Sequence, residues 1–424
     1  MDDTPINVPQ PSSPFSESHE PAPWVEKVIA QSASKVSHVQ PPAMADHHEV
    51  TPPQATLVHQ APMNSASSGL SSHAKPLLLC LGEPLIEQRL SAEIGLQDNA
   101  LSPVSITLAP SGDVLNTATA FSRLFPPSPH TTPKATILTR IGQDTYGKLL
   151  TQFCQQEGII LHPPWHTLKD KSRYTGSYLI QTPQSSESTH PVRSEYYRTH
   201  SAGSCHHTEA LTYSASSLHT LLSGHRWVYA TGVSLALSES YRAFVVTLFQ
   251  FAKAHGKNTM LTLNWREALW EGHRQCAYET LQKLLPYVDS LQLSEEDAHG
   301  WLGMGSEQSV KSYFQEIHQV PMVWYTLADK GSRLYTLASR LTQVYPASQG
   351  MPTTHTLNAL PIAQKGSTIG AGDGFAGGVL YGLVAEQPLP LCHALGRLVA
   401  GLKCTHPQTA LGMPFREDVM GYQG

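Results

Sequence analysis

The chain has 424 residues, a formal net charge of -5 and 40% hydrophobic residues, enough apolar content for a large buried core and no basic stripe for nucleic acid. Cys80, Cys154, Cys205, Cys276, Cys392 and Cys404 show no Cys-x-x-Cys spacing, which excludes a zinc knuckle or disulfide framework and fits a reducing compartment. No apolar run approaches membrane-spanning length, and the acidic start Met1-Asp2-Asp3 is unlike a basic targeting peptide, so the expected location is the cytoplasm, with neither membrane nor nucleic acid as partner.

Residues 1–74 are dominated by Pro, Ser, Thr, His, Ala and Gln with little hydrophobic patterning. Such a segment cannot offset the entropy of ordering and is expected to be a disordered tail. Trp24, Val25, Val28 and Ile29 would share one face of a short helix over 24–31, a candidate docking segment set against the marginal stability of isolated short helices. His47-His48 lacks acidic or Cys partners at fixed spacing, which argues against a metal site.

Folded character begins at Lys75, and one domain is expected over 75–420. Pro76 to Gly82 is a short apolar run ending in Gly, the pattern of a strand buried on both faces. Strands and helices then alternate. Strands are predicted over 135–139, 227–231, 258–263, 288–293 and 322–326, and helices over 146–157 and 239–255, the sign of a three-layer α/β/α domain with a mostly parallel sheet. Pro126-Pro127-Ser128-Pro129 and Pro133 mark a surface loop without assigned chemistry. Two stretches, about 86–108 and 172–198, carry period-two patterns outside this alternation and are expected to form a small β lid, with 183–193 as its hairpin tip.

The run from Ser367 to Leu383, Ser-Thr-Ile-Gly-Ala-Gly-Asp-Gly-Phe-Ala-Gly-Gly-Val-Leu-Tyr-Gly-Leu, predicts a glycine-opened helix start able to receive a phosphate, with Asp373 at its mouth. Asp373 also fits a plain helix cap. Glycine inside a helix costs about 1 kcal/mol relative to Ala, so Gly374, Gly377, Gly378 and Gly382 imply a need for close backbone approach.

Five separated segments occur in the order and spacing of the ribokinase (PfkB) family of carbohydrate kinases, which the chain resembles from about Lys75 to Phe415. They are Leu81-Gly82-Glu83-Pro84-Leu85-Ile86-Glu87, Gly112 to Ala118, Ile141 to Gly147, Leu263 to Trp270 and Ile369 to Asp373. Tyr196-Tyr197-Arg198 and Gly112-Asp113-x-x-Asn116 resemble the 2-keto-3-deoxygluconate kinases more than fructokinases or ribokinases. The resemblance implies a ribokinase-like fold and an ATP- and Mg2+-using enzyme that phosphorylates the terminal primary hydroxyl of a sugar acid, most like 2-keto-3-deoxygluconate.

By that resemblance Asp373 is the general base, and the backbone amides of Gly370, Ala371 and Gly372 receive the migrating phosphoryl group. Gly112, Asp113, Asn116, Tyr196, Arg198 and Arg266 face the sugar, the two arginines as partners for a substrate carboxylate. Asn264, Thr326, Ala328, Gly331 and Gly372 face the nucleotide, with a helix near 391–404 against the base. Asp297 stands in Ser294-Glu295-Glu296-Asp297, where relatives use Asn-x-x-Glu to organise the metal; an acidic helix start explains it equally well.

Three departures stand out. Ala328 replaces a Gly, tolerable only with negative φ. Ser367 replaces an Asp associated with monovalent-cation support, which calls potassium activation into question. Thr262 replaces another Asp. The alternatives are a fructokinase-like kinase of a neutral sugar and a catalytically idle sugar-acid sensor. The resemblance also implies lid strands whose exposed edges pair between subunits, so a homo-oligomer is expected.

Overall fold

A computed structural model describes residues 77–90, 105–126, 133–162, 169–170, 172–181, 193–205, 214–270, 272–348, 351–362 and 366–422. The expected tail, including the 24–31 helix and His47-His48, lies outside the described residues, as do most of the proline loop and nearly all of the lid hairpin tip.

In chain order the strands are β1 (Leu78–Leu81), β2 (Leu85–Leu90), β3 (Ile106–Ser111), β4 (Ala135–Leu138), β5 (Ile141–Gly142), β6 (Ile159–Leu161), β7 (Lys169–Asp170) and β8 (Ser177–Gln181). After them come β9 (Arg193–Tyr197), β10 (Trp227–Thr231), β11 (Asn258–Thr262), β12 (Ser290–Ser294), β13 (Met322–Thr326), β14 (Ser332–Thr336) and β15 (Thr354–Leu357). Nine of them form the main sheet in the order β15-β14-β13-β12-β11-β10-β1-β4-β6. Pairing is parallel from β6 through β13, and β14 and β15 add an antiparallel edge.

Side chains along these strands alternate between two cores. Leu78, Cys80, Trp227, Tyr229 and Trp324 meet Phe121, Phe375, Val379 and Leu395 on one face. Leu79, Leu81, Val228, Ala230 and Val323 meet Leu218, Phe244, Leu248 and Leu281 on the other. Because both faces are covered by helices, the strands read as continuous apolar runs. This is the three-layer α/β/α arrangement expected from the sequence. The second, antiparallel pair of edge strands was not anticipated, because β14 and β15 carry mixed polar sequences such as Ser-Arg-Leu-Tyr-Thr and Thr-His-Thr-Leu.

Strands β3-β2-β8-β9 form a separate four-stranded sheet, which is the small β lid. Its β2 follows β1 after only Gly82, Glu83 and Pro84, so the lid is tethered at the carboxyl end of a central strand. From β1 the chain moves outward to β4 and β6, then returns to lay β10 on the other side. That reversal makes a crevice at the carboxyl ends of β1 and β10, the expected place for a ligand.

The helix Ala371–Val384 packs closely against two others, Asp113–Arg123 and Leu389–Lys403. A Cβ on Gly377 would sit 2.5 Å from the Ala120 Cβ, and one on Gly378 would sit 2.6 Å from the Leu395 carbonyl oxygen. These two interior glycines therefore serve helix contact. Among the described residues no helix is long and apolar enough to cross a membrane.

Candidate active site

Asp373 lies in the first turn of the Ala371–Val384 helix, whose N-cap Gly370 is left-handed at φ 85°. The Asn116 Nδ2 donates to Asp373 Oδ2 at 2.8 Å, and Thr117 Oγ1 donates to the Asp373 carbonyl at 3.3 Å. These contacts join two helices that are 257 residues apart in sequence. Asp373 keeps some exposure while protein atoms crowd it. Burial, and then the negative charge of Asp113, push its carboxyl up to about 7, against the opposing effects of Asn116, Arg266 and Lys403.

The helix start is fixed from below by neutral hydrogen bonds. Thr117 Oγ1 donates to the Tyr229 hydroxyl at 3.3 Å, Tyr229 to Thr262 Oγ1 at 3.1 Å, and Thr262 to Gln292 Oε1 at 3.4 Å. Gln292 Nε2 then donates to the Gly372 carbonyl at 2.9 Å. Thr262, where an acid was expected, is thus a link in a hydroxyl relay. A Cβ on Gly372 would meet only Gln292 Nε2, at 3.8 Å, so the space before this residue is open. The Ala371 amide, one of the three expected phosphate donors, instead bonds to the Thr368 carbonyl at 3.0 Å. The helix geometry leaves the Gly372 and Asp373 amides ahead of the first intrahelical acceptor.

Asp113 opens the Asp113–Arg123 helix after Gly112, whose φ of 108° and 2.7 Å virtual Cβ contact with the Glu83 carbonyl oxygen permit no side chain. Its Oδ1 accepts from the Val114 amide at 2.9 Å; its Oδ2 accepts from Thr231 Oγ1 and, at 3.4 Å, from Asn264 Nδ2. Asn264, expected on the nucleotide, has positive φ (41°) and turns toward Asp113. Gly112, Asp113, Asn116, Asn264 and Asp373 therefore come together around one crevice.

Arg198 behaves differently from expectation. Its Nε donates to Glu83 Oε2 at 3.0 Å, its Nη2 stands 2.7 Å from the same oxygen, and Ser201 Oγ donates to Glu83 Oε1. Both partners are buried. Burial pushes the Glu83 carboxyl upward, and Arg198 and Ser201 oppose it. The Arg198 guanidinium is thus tied to Glu83, where a partner for a substrate carboxylate was expected. Glu83 was passed over as a site residue, although its place directly after β1 in Gly82-Glu83-Pro84 was a signal. Tyr196, on β9, is 36% exposed and stacks on Tyr178 with ring centroids 5.7 Å apart.

Arg266 is exposed and donates to its neighbour's carbonyl (Trp265 O, 3.0 Å); burial raises the carboxyl pKa values of Asp373 and Asp297, and the Arg266 charge opposes both rises. Asp297 is engaged by its neighbours. Its Oδ1 accepts from the Trp265 amide at 2.7 Å, and its Oδ2 accepts from the Ser294 amide and hydroxyl at 2.8 and 2.9 Å. Buried, and accepting three hydrogen bonds, it ties two strand-end loops together. Among the described residues no group of three His, Cys, Asp or Glu is placed to hold a metal ion; a metal carried in by nucleotide phosphates needs no such cage, and a contact from Asp297 to it stays a proposal.

Thr326 ends β13 and donates to the Leu293 carbonyl at 3.3 Å. The next loop carries Ala328 at φ 50°, contrary to the negative φ that its methyl called for, and Gly331 at φ 92°. A Cβ on Gly331 would lie 2.0 Å from the Leu357 carbonyl oxygen. The loop keeps a glycine-like shape at both positions, and Ala328 bears the strain.

This constellation can be set beside known proteins. The pfkB family carbohydrate kinase model matches residues 75–416. The chain belongs to that family. It is a sugar kinase. It is 25% identical over 300 residues to the 2-dehydro-3-deoxygluconokinase of Haemophilus influenzae, covering 70% of this chain and 86% of that one. To the 2-dehydro-3-deoxygalactonokinase of Haloferax volcanii it is 26% identical over 339 residues, 80% of this chain and 94% of the other. Among solved structures, an E. coli protein assigned as ribokinase II, in complex with ATP and Mg2+, superposes with TM-score 0.65 at 16% identity, over 82% of this chain and 98% of that one. The ribokinase-like fold and the kinase class foreseen from five motifs are those of the sugar kinase.

Proposed function

We propose that this sugar kinase transfers the γ-phosphate of ATP to the terminal primary hydroxyl of a sugar acid, with 2-keto-3-deoxygluconate (2-dehydro-3-deoxygluconate) as leading substrate and Asp373 as general base. The observation that carries the reading is Asp373 itself, a carboxylate at an open helix start with its pKa lifted to about 7. A base is most useful when its pKa lies near the working pH. The ionised carboxylate takes the hydroxyl proton as the new O–P bond forms and the bond from the γ-phosphorus to the bridging oxygen breaks, releasing ADP. Asn116 holds Oδ2 and so orients the base toward the acceptor. Amides at Gly372 and Asp373, with the positive helix end, meet the charge of the phosphoryl group in flight.

The two relatives named above are kinases of keto-deoxy sugar acids, and Arg266 supplies a cation suited to a carboxylate. Magnesium would arrive with the nucleotide phosphates, which it bridges with few protein ligands. The exposed Ile106, Leu108 and Tyr197 on the lid strands suit a homo-oligomer, and the absence of disulfides among the described residues suits the cytoplasm.

One observation favours a second reading, a kinase of a neutral ketohexose: Glu83 cancels Arg198, leaving one cation where two were expected. Turnover with ATP on a panel of acid and neutral sugars separates them. The proposal expects the keto-deoxy acid to be preferred; strong fructose turnover with none on the acid overturns it.

A further inference from the structure

Lys403 is the last residue of the Leu389–Lys403 helix, and its side chain is wholly buried. The signal in the sequence is one lysine inside the apolar run from Leu398 to Cys404. Its Nζ donates to the Ser367 carbonyl at 2.9 Å and to the His406 carbonyl at 3.3 Å. Among the described residues it makes no ion pair. A buried ammonium held by neutral oxygens is costly, so its retention calls for a use.

The surroundings point to one. Ser367 leads directly into the left-handed Gly370, and Lys403 Cε lies 3.5 Å from where a Gly370 Cβ would sit. The Gly366 amide donates to the Cys404 carbonyl at 2.7 Å, tying the same two segments a second time. Ser367 is neutral where an acid was expected, and a carboxylate there would pair with the ammonium and cancel its charge.

We propose that Lys403 is a positioning residue for phosphoryl transfer, a tethered monovalent cation that fixes the Ser367–Gly370 loop and adds positive charge behind the phosphate-receiving amides. This rests on the kinase reading above. Burial lowers the Lys403 pKa to about 8, with Arg89 lowering it further and Cys404, Glu87 and Asp373 raising it. The ammonium is thus charged through neutral pH and is lost above it, which predicts a falling alkaline limb in the wild-type rate.

The test uses full-length Lys403→Ala and Lys403→Met in choline, potassium or ammonium chloride. The wild type is expected to be indifferent to the salt. Lys403→Ala should lose about tenfold to a hundredfold in kcat, with the sugar KM within about twofold, and ammonium or potassium entering the vacated space should restore most of that loss. Lys403→Met fills the space without charge and should lose rate without rescue, its melting curve checking that it folds. A Lys403→Ala kcat within about twofold of wild type overturns the inference, as does a loss that no cation relieves. If the wild type transfers no phosphate, the kinase reading falls and melting curves decide the tether: ammonium should raise the Tm of Lys403→Ala and leave wild type unchanged, and no selective rise overturns it.

Discussion

Two corners of the molecule treat buried charge in opposite ways. At the base of the lid, Glu83 and Arg198 are paired, hydrogen-bonded and closed off, with Ser201 completing the knot. At the helix start, Asp373 and Lys403 have no ionic partner in contact, and each is held by neutral groups: an amide for one, two carbonyls for the other. The first arrangement ties opposite charges together and fixes geometry, although burial still pushes the Glu83 carboxyl upward. The second displaces both pKa values toward neutrality, to about 7 and about 8, which suits groups that respond to a reacting phosphate and a moving proton.

Removing the base should give the largest effect. Asp373→Asn is expected to lower kcat by about 10²- to 10⁴-fold, measured by single-turnover transfer. The same change should stabilise the fold. A raised carboxyl pKa contributes stability that is full below about 3.9 and gone once the pH passes about 7, so at pH 8 the variant should melt a few degrees above wild type. Its melting should also lack the wild-type decline between those pH values.

Breaking the closed pair comes next. Glu83→Gln leaves the Arg198 charge buried and uncompensated, a loss of about 3–5 kcal/mol in denaturant unfolding. A Glu83→Gln/Arg198→Met double variant should recover much of it. If the two single losses simply add, the corner is not a coupled pair.

Arg266→Met should raise KM for carboxylate-bearing sugars by about 10- to 100-fold, equivalent to a charged hydrogen bond of roughly 1.5–3 kcal/mol, with little change for neutral sugars. Equal losses for both classes would move Arg266 from specificity to site structure. The smallest effect belongs to Ala328→Gly, which relieves a left-handed alanine and should add about 1 kcal/mol; a loss would mean that the methyl makes a contact worth more than the strain.

The same contrast shows what a sequence discloses. The parallel sheet was legible because strands covered on both faces, such as Trp227–Thr231 and Met322–Thr326, are unbroken apolar runs. The helix start that carries Asp373 was legible from its glycines, while the acid itself fitted a plain cap equally well. Contacts between distant segments were not. Nothing near Glu83 announces Arg198, 115 residues away, and nothing near Asp297 announces that the Trp265 amide takes up one of its oxygens. Lys403 was hidden because its partners are backbone carbonyls, which every residue possesses and no motif displays. Ala328 misled because the loop imposes its shape on the residue, and the methyl did not change it.

The account stands most directly on the acidic limb of the pH–rate profile. Single-turnover phosphate transfer from ATP to 2-keto-3-deoxygluconate should rise with a midpoint near pH 7 in wild type as the Asp373 carboxyl ionises, and Asp373→Asn should show a low rate without that limb. An Asn variant that keeps both the wild-type rate and the limb would contradict the assignment of Asp373 as the base.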